Sequence, residues 1–195
     1  MNPEVKPLLE TAQSCVANGQ WQDASRIYAK LASLLHREPD VHHLHGLTLK
    51  EQHDYQSALQ QIDRAISMEP ERVKYRRSRG DVLTAMGALD AAGKTYRQVL
   101  ALAPDDHHAM LNLGNILWRQ NQPEQALEWY HRTLVLDPQN SCAMNNIGKI
   151  THDLGQVDHA LAWYGRALRR QPDYAEARFN RAVSLLAIGD YAKGW

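Results

Sequence analysis

The sequence predicts an all-α protein made of stacked pairs of antiparallel helices, and three observations carry that prediction. Helix formers dominate, with 24 Ala and 24 Leu against 22 Val, Ile and Thr together, a balance that favours helix over strand. Proline recurs every 34 residues, at Pro70, Pro104, Pro138 and Pro172. Small and aromatic columns keep the same phase: Ala24, Ala58, Ala92, Ala126 and Ala160; Ala12, Gly46, Gly80, Gly114, Gly148 and Ala182; Tyr28, Ile62, Tyr96, Tyr130 and Tyr164. A fixed period of this size marks a solenoid of repeated helix pairs.

The phase divides the chain into units at 5–38, 39–72, 73–106, 107–140 and 141–174, with a partial sixth from Ala175 to Trp195. The unit at 107–140 shows the logic of each. Met110, Leu113, Ile116 and Leu117 form one apolar helical stripe, Asn121-Gln122-Pro123 breaks it, and the proline opens the next helix. The second helix carries Ala126, Leu127, Tyr130, Leu134 and Leu136 until Asp137-Pro138 ends it. Gly19, Gly87, Gly155 and Gly189 fall in the first turn of other units, where a left-handed residue ends a helix. The small residues at the eighth and twentieth positions let the paired helices approach closely, and a bulkier side chain there overpacks the contact by about 1 to 3 kcal/mol.

Asn112-Leu113-Gly114, Ala126, Tyr130 and Pro138 resemble the consensus of the tetratricopeptide repeat (TPR) family. The resemblance runs over essentially the whole chain and implies a right-handed TPR superhelix of five full repeats and a partial sixth, a single array over 1–195. The first unit departs most, with His36 where later units have proline. The last unit stops inside its predicted second helix, and Gly194 replaces the usual alanine. Solenoids normally end in a solvating cap, so the expectation is an N-terminal part of a longer polypeptide. The ending Gly189-Asp190-Tyr191-Ala192-Lys193-Gly194-Trp195 resembles bacterial TPR proteins that continue into a glycosyltransferase-like domain.

Composition narrows the function classes. The 195 residues carry 22 Lys and Arg against 22 Asp and Glu, and a protein that binds phosphate backbones normally has a basic excess; no nucleic-acid partner is expected. No apolar run approaches the roughly 18 residues of a membrane span, and the N-terminal segment lacks a secretory core. Cys15 and Cys142 fit neither a CxxC motif nor a disulfide framework. A cytoplasmic location with reduced thiols follows as the expectation.

The family resemblance implies that the first helix of each pair lines a concave groove, with the second, fifth, sixth, ninth, twelfth and thirteenth positions facing inward. The sixth position holds Asn112, Asn146 and Asn180. A carboxamide both donates and accepts, so such a ladder can grip an extended peptide backbone without reading its side chains, and it resembles the ladder of O-linked GlcNAc transferases. Two bonds per rung worth roughly 0.5 to 1.5 kcal/mol each give about 3 to 9 kcal/mol, against an association cost of about 4 to 15 kcal/mol. Other groove residues must therefore add to it. Asn115, Trp118, Asn145, Lys149 and His152 fall on inward positions, with Trp118 either meeting a ligand side chain or packing on the next unit.

A second candidate is basic. Arg72, Lys74, Arg76, Arg77 and Arg79 surround Tyr75, and Lys74 and Arg77 fall on groove positions that suit an acidic or phosphorylated segment. Against this stands a solvated face neutralised by Glu69, Glu71 and Asp81. The two-carboxylate clamp of chaperone-binding TPRs is missing in every register, since unit three offers Arg77 but Asp81 and unit five offers Cys142 and Asn146. His42 and His45 share a helix face, yet no Cys or carboxylate completes a metal set. Nucleophile motifs, phosphate-cradling loops and HExxH are absent.

The reading is a non-enzymatic scaffold without cofactor or metal that binds a protein or peptide in its groove. The alternative is the substrate-docking arm of a larger enzyme of the O-GlcNAc-transferase type. Leu185, Leu186 and Ile188, taken as exposed at an unfinished end, add an expectation of end-to-end self-association.

Overall fold

Eleven helices and no strands form among the described residues, which in this computed structural model run from 4 to 189. Of the ending quoted above, residues 190–195, with Lys193, Gly194 and Trp195 among them, lie outside them. The chain divides into two compact units, Met1–Ala103 and Pro104–Trp195. The first contains α1 (Val5–Ala17), α2 (Trp21–Leu34), α3 (Pro39–Glu51), α4 (Tyr55–Met68), α5 (Val73–Ala85) and α6 (Leu89–Leu102). The second contains α7 (His107–Arg119), α8 (Pro123–Leu136), α9 (Ser141–Asp153), α10 (Val157–Arg170) and α11 (Ala175–Ala187). Within each unit every helix packs on the next.

The turn inside each pair follows one recipe. Residue fifteen of the repeat takes a left-handed backbone: Gly19, Gly87, Gly155 and Gly189 have φ between 69° and 79°, and His53 and Asn121 hold the same place at 61° and 59°. The residue after it donates back across the helix end, as in Gln20 N–H to the Cys15 carbonyl at 2.8 Å and Gln122 N–H to that of Leu117 at 2.9 Å. These bonds satisfy carbonyls the helix would otherwise leave unpaired. Pro39 and Pro123 open their helices, where a missing N–H loses nothing. Asp54, Asp106 and Asn140 cap α4, α7 and α9 by accepting from the N–H of Ser57, Ala109 and Ala143.

Close approach within a pair rests on the eighth position. A Cβ on Gly80, Gly114 or Gly148 would stand 2.5–2.7 Å from the ring of Tyr96, Tyr130 or Tyr164, and one on Gly46 would stand 2.6 Å from Ile62. Ala24, Ala58, Ala92, Ala126 and Ala160 are fully buried, as is each aromatic or Ile62 of the twenty-fourth position to within 2%. Burying each such side chain contributes about 1.5–3 kcal/mol. Two expectations are corrected. Leu136 is 49% exposed as the last residue of α8. Leu185, read as an exposed end residue, is only 5% exposed, whereas Ile188 is 50% exposed.

Candidate peptide-binding surface

In the second unit the first helices of the pairs, α7, α9 and α11, carry a run of asparagines that meet one another. Asn180 Nδ2 donates to Asn145 Oδ1 at 3.0 Å, Asn145 Nδ2 reaches Asn146 Oδ1 at 3.5 Å, and Asn146 Nδ2 donates to Asn115 Oδ1 at 2.8 Å. The buried Tyr130 hydroxyl donates to the same Asn115 oxygen at 2.7 Å. Three helices and one second helix thus converge on a single amide chain. Burial raises the Tyr130 pKa, keeping the phenol protonated as donor.

Asn145 is fully buried, because α11 covers the fifth position of α9 and Asn180 reaches across to it. It is therefore a partner of the ladder and not a contact surface, a correction to its expected role. Asn146 and Asn180 are half-buried, each with one N–H held by the wall. Asn112 behaves differently: its Nδ2 donates to the His108 carbonyl of its own helix at 3.1 Å. The three rungs are accordingly unequal, two orienting each other's surroundings and one turned along α7.

Beside the amides runs a charged line. Lys149 lies 4.7 Å over the Trp118 ring and pairs with Glu176 at 3.0 Å. Trp118 thereby meets a side chain of the next repeat through a cation–π contact. His152 Nδ1 and Ser184 Oγ share a hydrogen bond of 2.9 Å, joining α9 to α11. Phe179, one residue before Asn180 and 68% exposed, escaped the sequence reading. Its fifth-position register was the available signal.

The basic cluster of the first unit is neutralised from neighbouring helices. Lys74 pairs with Asp40 at 2.5 Å, Arg79 with Asp63 at 2.7 Å and Arg72 with Glu69 at 3.6 Å, while Arg76 donates to the Pro70 carbonyl. Arg77 is half-buried and engaged within the protein. The buried Tyr75 hydroxyl also donates to Asp40, at 2.6 Å. Hydrogen bonds from Lys74 and Tyr75 hold the Asp40 carboxyl below its ordinary pKa. Of the counterions expected, Glu69 takes part; Asp40 and Asp63 come from α3 and α4, more than fifteen residues away in sequence.

The histidines are turned apart rather than gathered. His42 meets Gln61 at 2.8 Å, His43 meets Ser78 at 2.8 Å against the Tyr75 ring, and His45 meets Ser25 at 3.3 Å. Burial, helped by the Lys74 charge and opposed by Asp40, pushes the His43 imidazole down to about 4. No group of three potential metal ligands forms among the described residues, and no helix there is long and apolar enough to cross a membrane. An apolar hollow of about 520 Å³, lined by Val16, Trp21, Leu44 and Leu47 with the Lys50–Glu51 pair at its rim, opens between α1 and α3. Sequence reading missed it, although Leu44 and Leu47 stand at sixth and ninth positions where a solvated wall would be polar.

Comparison with known proteins agrees with this fold. A family model described as tetratricopeptide repeat matches residues 43–107 and 85–141, and one described as TPR repeat matches 148–189. No curated protein matches in sequence. Among solved structures, PilW, a type IV pilus biogenesis factor, aligns with a TM-score of 0.85 at 16% identity over 100% of this chain and 90% of its own. MamA from Desulfovibrio magneticus aligns at 0.78 and 21% identity over 90% and 99%. YrrB, described as a TPR protein with an unusual peptide-binding site, aligns at 0.64 and 18% identity over 86% of each chain. Those identities speak to the fold alone; the family matches, which span more than half of the residues, establish that the chain belongs to the tetratricopeptide repeat family.

Proposed function

We propose that this protein is an interaction scaffold that binds an extended peptide of a partner protein along α7, α9 and α11. TPR proteins serve as protein-interaction scaffolds, and YrrB, of similar fold, has a peptide-binding site. The observation that carries the reading is the amide chain from Asn180 through Asn145 and Asn146 to Asn115. It fixes the orientation of two half-buried carboxamides before any ligand arrives, which lowers the ordering cost of binding. Asn180 keeps a second N–H for a peptide carbonyl and its Oδ1 for a peptide N–H. Phe179 offers an aromatic surface to a neighbouring side chain. Recognition is directed at the backbone, so the partner is defined by extended conformation more than by sequence.

The test is a selection of displayed peptides on the wild-type protein, followed by binding to the triple variant Asn112→Ala, Asn146→Ala and Asn180→Ala, with circular dichroism to check the fold. Loss of binding by a folded triple variant supports the groove. Equal binding by both proteins removes it.

Self-association belongs to the same proposal in a modified form, through Phe179, Val183 and Ile188, which are 68%, 39% and 50% exposed, rather than through Leu185. Sedimentation at rising concentration distinguishes the two states. A monomer at high micromolar concentration ends that part of it.

A further inference from the structure

The second helices of the second unit help to form a separate recess, lined by none of the asparagines of the amide chain. It measures about 750 Å³, in the range of ligand-binding pockets, and lies between α8, α9 and α10. Leu134, Val135 and Met144 make its apolar part, and Val135 is 80% exposed. Arg166, Arg169 and Arg170 line its other wall. The Arg166 guanidinium lies over the Trp163 ring at 4.6 Å in a cation–π contact. His131 meets the same indole from the edge at 5.9 Å.

Three arginines share that wall. Some basic side chains of the protein have carboxylate partners, as Arg132 has Glu128, Lys149 has Glu176 and Arg79 has Asp63. No carboxylate stands within ion-pair distance of Arg166, Arg169 or Arg170 among the described residues. Arg169 and Arg170 occupy the last turn of α10, where they favour the helix dipole. That accounts for two charges at the helix end but not for Arg166, a turn earlier over Trp163. Nor does it account for a strongly exposed valine beside them. A simple anion would satisfy the guanidinium groups and leave Val135 in water. A neutral apolar segment would do the reverse.

We infer that this recess binds an acidic peptide segment of a partner protein in which carboxylates alternate with aliphatic side chains. Carboxylates meet the forked donors of Arg166, Arg169 and Arg170, and an aliphatic side chain covers Val135 and Leu134. The surface is distinct from the groove of α7, α9 and α11, so the two can be occupied by different segments.

The experiment uses a fluorescein-labelled peptide of alternating Glu and Leu as probe, with an alternating Gln and Leu peptide as the neutral control. Fluorescence anisotropy is measured with wild type, with the double variant Arg169→Glu and Arg170→Glu, with Val135→Glu, and with Asn146→Ala and Asn180→Ala. All three surface positions are exposed, and circular dichroism verifies that each variant folds. The expected result is binding of the Glu-Leu probe to wild type and to the asparagine variant, weaker by about tenfold or more in the arginine and valine variants. Rising salt should weaken it as well. Binding of both probes alike by the asparagine variant, absence of binding to wild type, or loss in the asparagine variant with retention in the arginine variant overturns the proposal. That last outcome would leave the groove reading intact.

Discussion

Asn145 and Asn180 lie 35 residues apart in sequence and 3.0 Å apart through their side-chain amides. The contact welds α9 to α11 with a fully buried acceptor and a half-buried donor. Removing one partner leaves the other unsatisfied, which costs about 1–3 kcal/mol. Asn145→Ala is therefore expected to lower the urea midpoint more than Asn112→Ala, whose amide bonds only its own helix. In a double-mutant cycle, Asn145→Ala and Asn180→Ala should couple by about 0.5–3 kcal/mol. Additive losses would mean the bond does not hold the helices.

Two glycines should respond to alanine with opposite signs. At Gly114 the new Cβ meets Tyr130 at 2.5 Å, and overpacking of this kind costs about 1–3 kcal/mol. At Gly165, inside α10, only Arg169 Nη1 lies near, at 3.6 Å. There alanine should stabilise by about 0.5–1 kcal/mol through helix propensity. Thermal melting of the two variants reads the signs directly.

The left-handed turn positions give a third comparison. His53 and Asn121 occupy a backbone region that L residues other than asparagine pay for at roughly 1–2 kcal/mol. His53→Gly should raise the melting temperature more than Asn121→Gly, with part of its gain offset by the lost bond to the Tyr55 hydroxyl. The reverse order would show that the His53 bond outweighs the strain.

Stability should also depend on acid. His43 titrates at about 4 in the folded state and near its ordinary value of 6.5 when unfolded, and burial lowers His45 in the same direction. The unfolded chain then binds more protons between those values, so stability rises with pH across the window and is lost as pH falls from about 6.5 toward 4. Groups facing His43 are Ser78, Tyr75, Lys74 and Asp40. Urea midpoints from pH 7 to 4 should fall less steeply in His43→Gln than in wild type. Identical slopes would place the acid sensitivity elsewhere.

The period made the fold readable. Gly80, Gly114 and Gly148 face the tyrosine sixteen residues on in each unit, as the small-residue columns imply, and the first-turn glycines do adopt left-handed backbones. The site was less readable because a period reports where a side chain stands and not what its neighbours do with it. Asn145 and Asn146 are adjacent in sequence, yet one is sealed under α11 and the other stays half-open. Lys74 looked available until Asp40, a whole repeat away, came within 2.5 Å. The recess at Arg166 and Val135 needs the second helices of successive repeats, α8 and α10, near one another, a relation no single repeat contains.

The claim that the α7, α9 and α11 face binds extended peptide is tested most directly by an NMR titration. A peptide selected on the protein is added to ¹⁵N-labelled material while the side-chain amides of Asn112, Asn146 and Asn180 and the indole N–H of Trp163 are followed. The expected result is saturable shifts of the asparagine amides, largest at Asn146 and Asn180, with Trp163 unmoved. Shifts at Trp163 with the asparagines unchanged would contradict it and place binding in the recess beside Trp163.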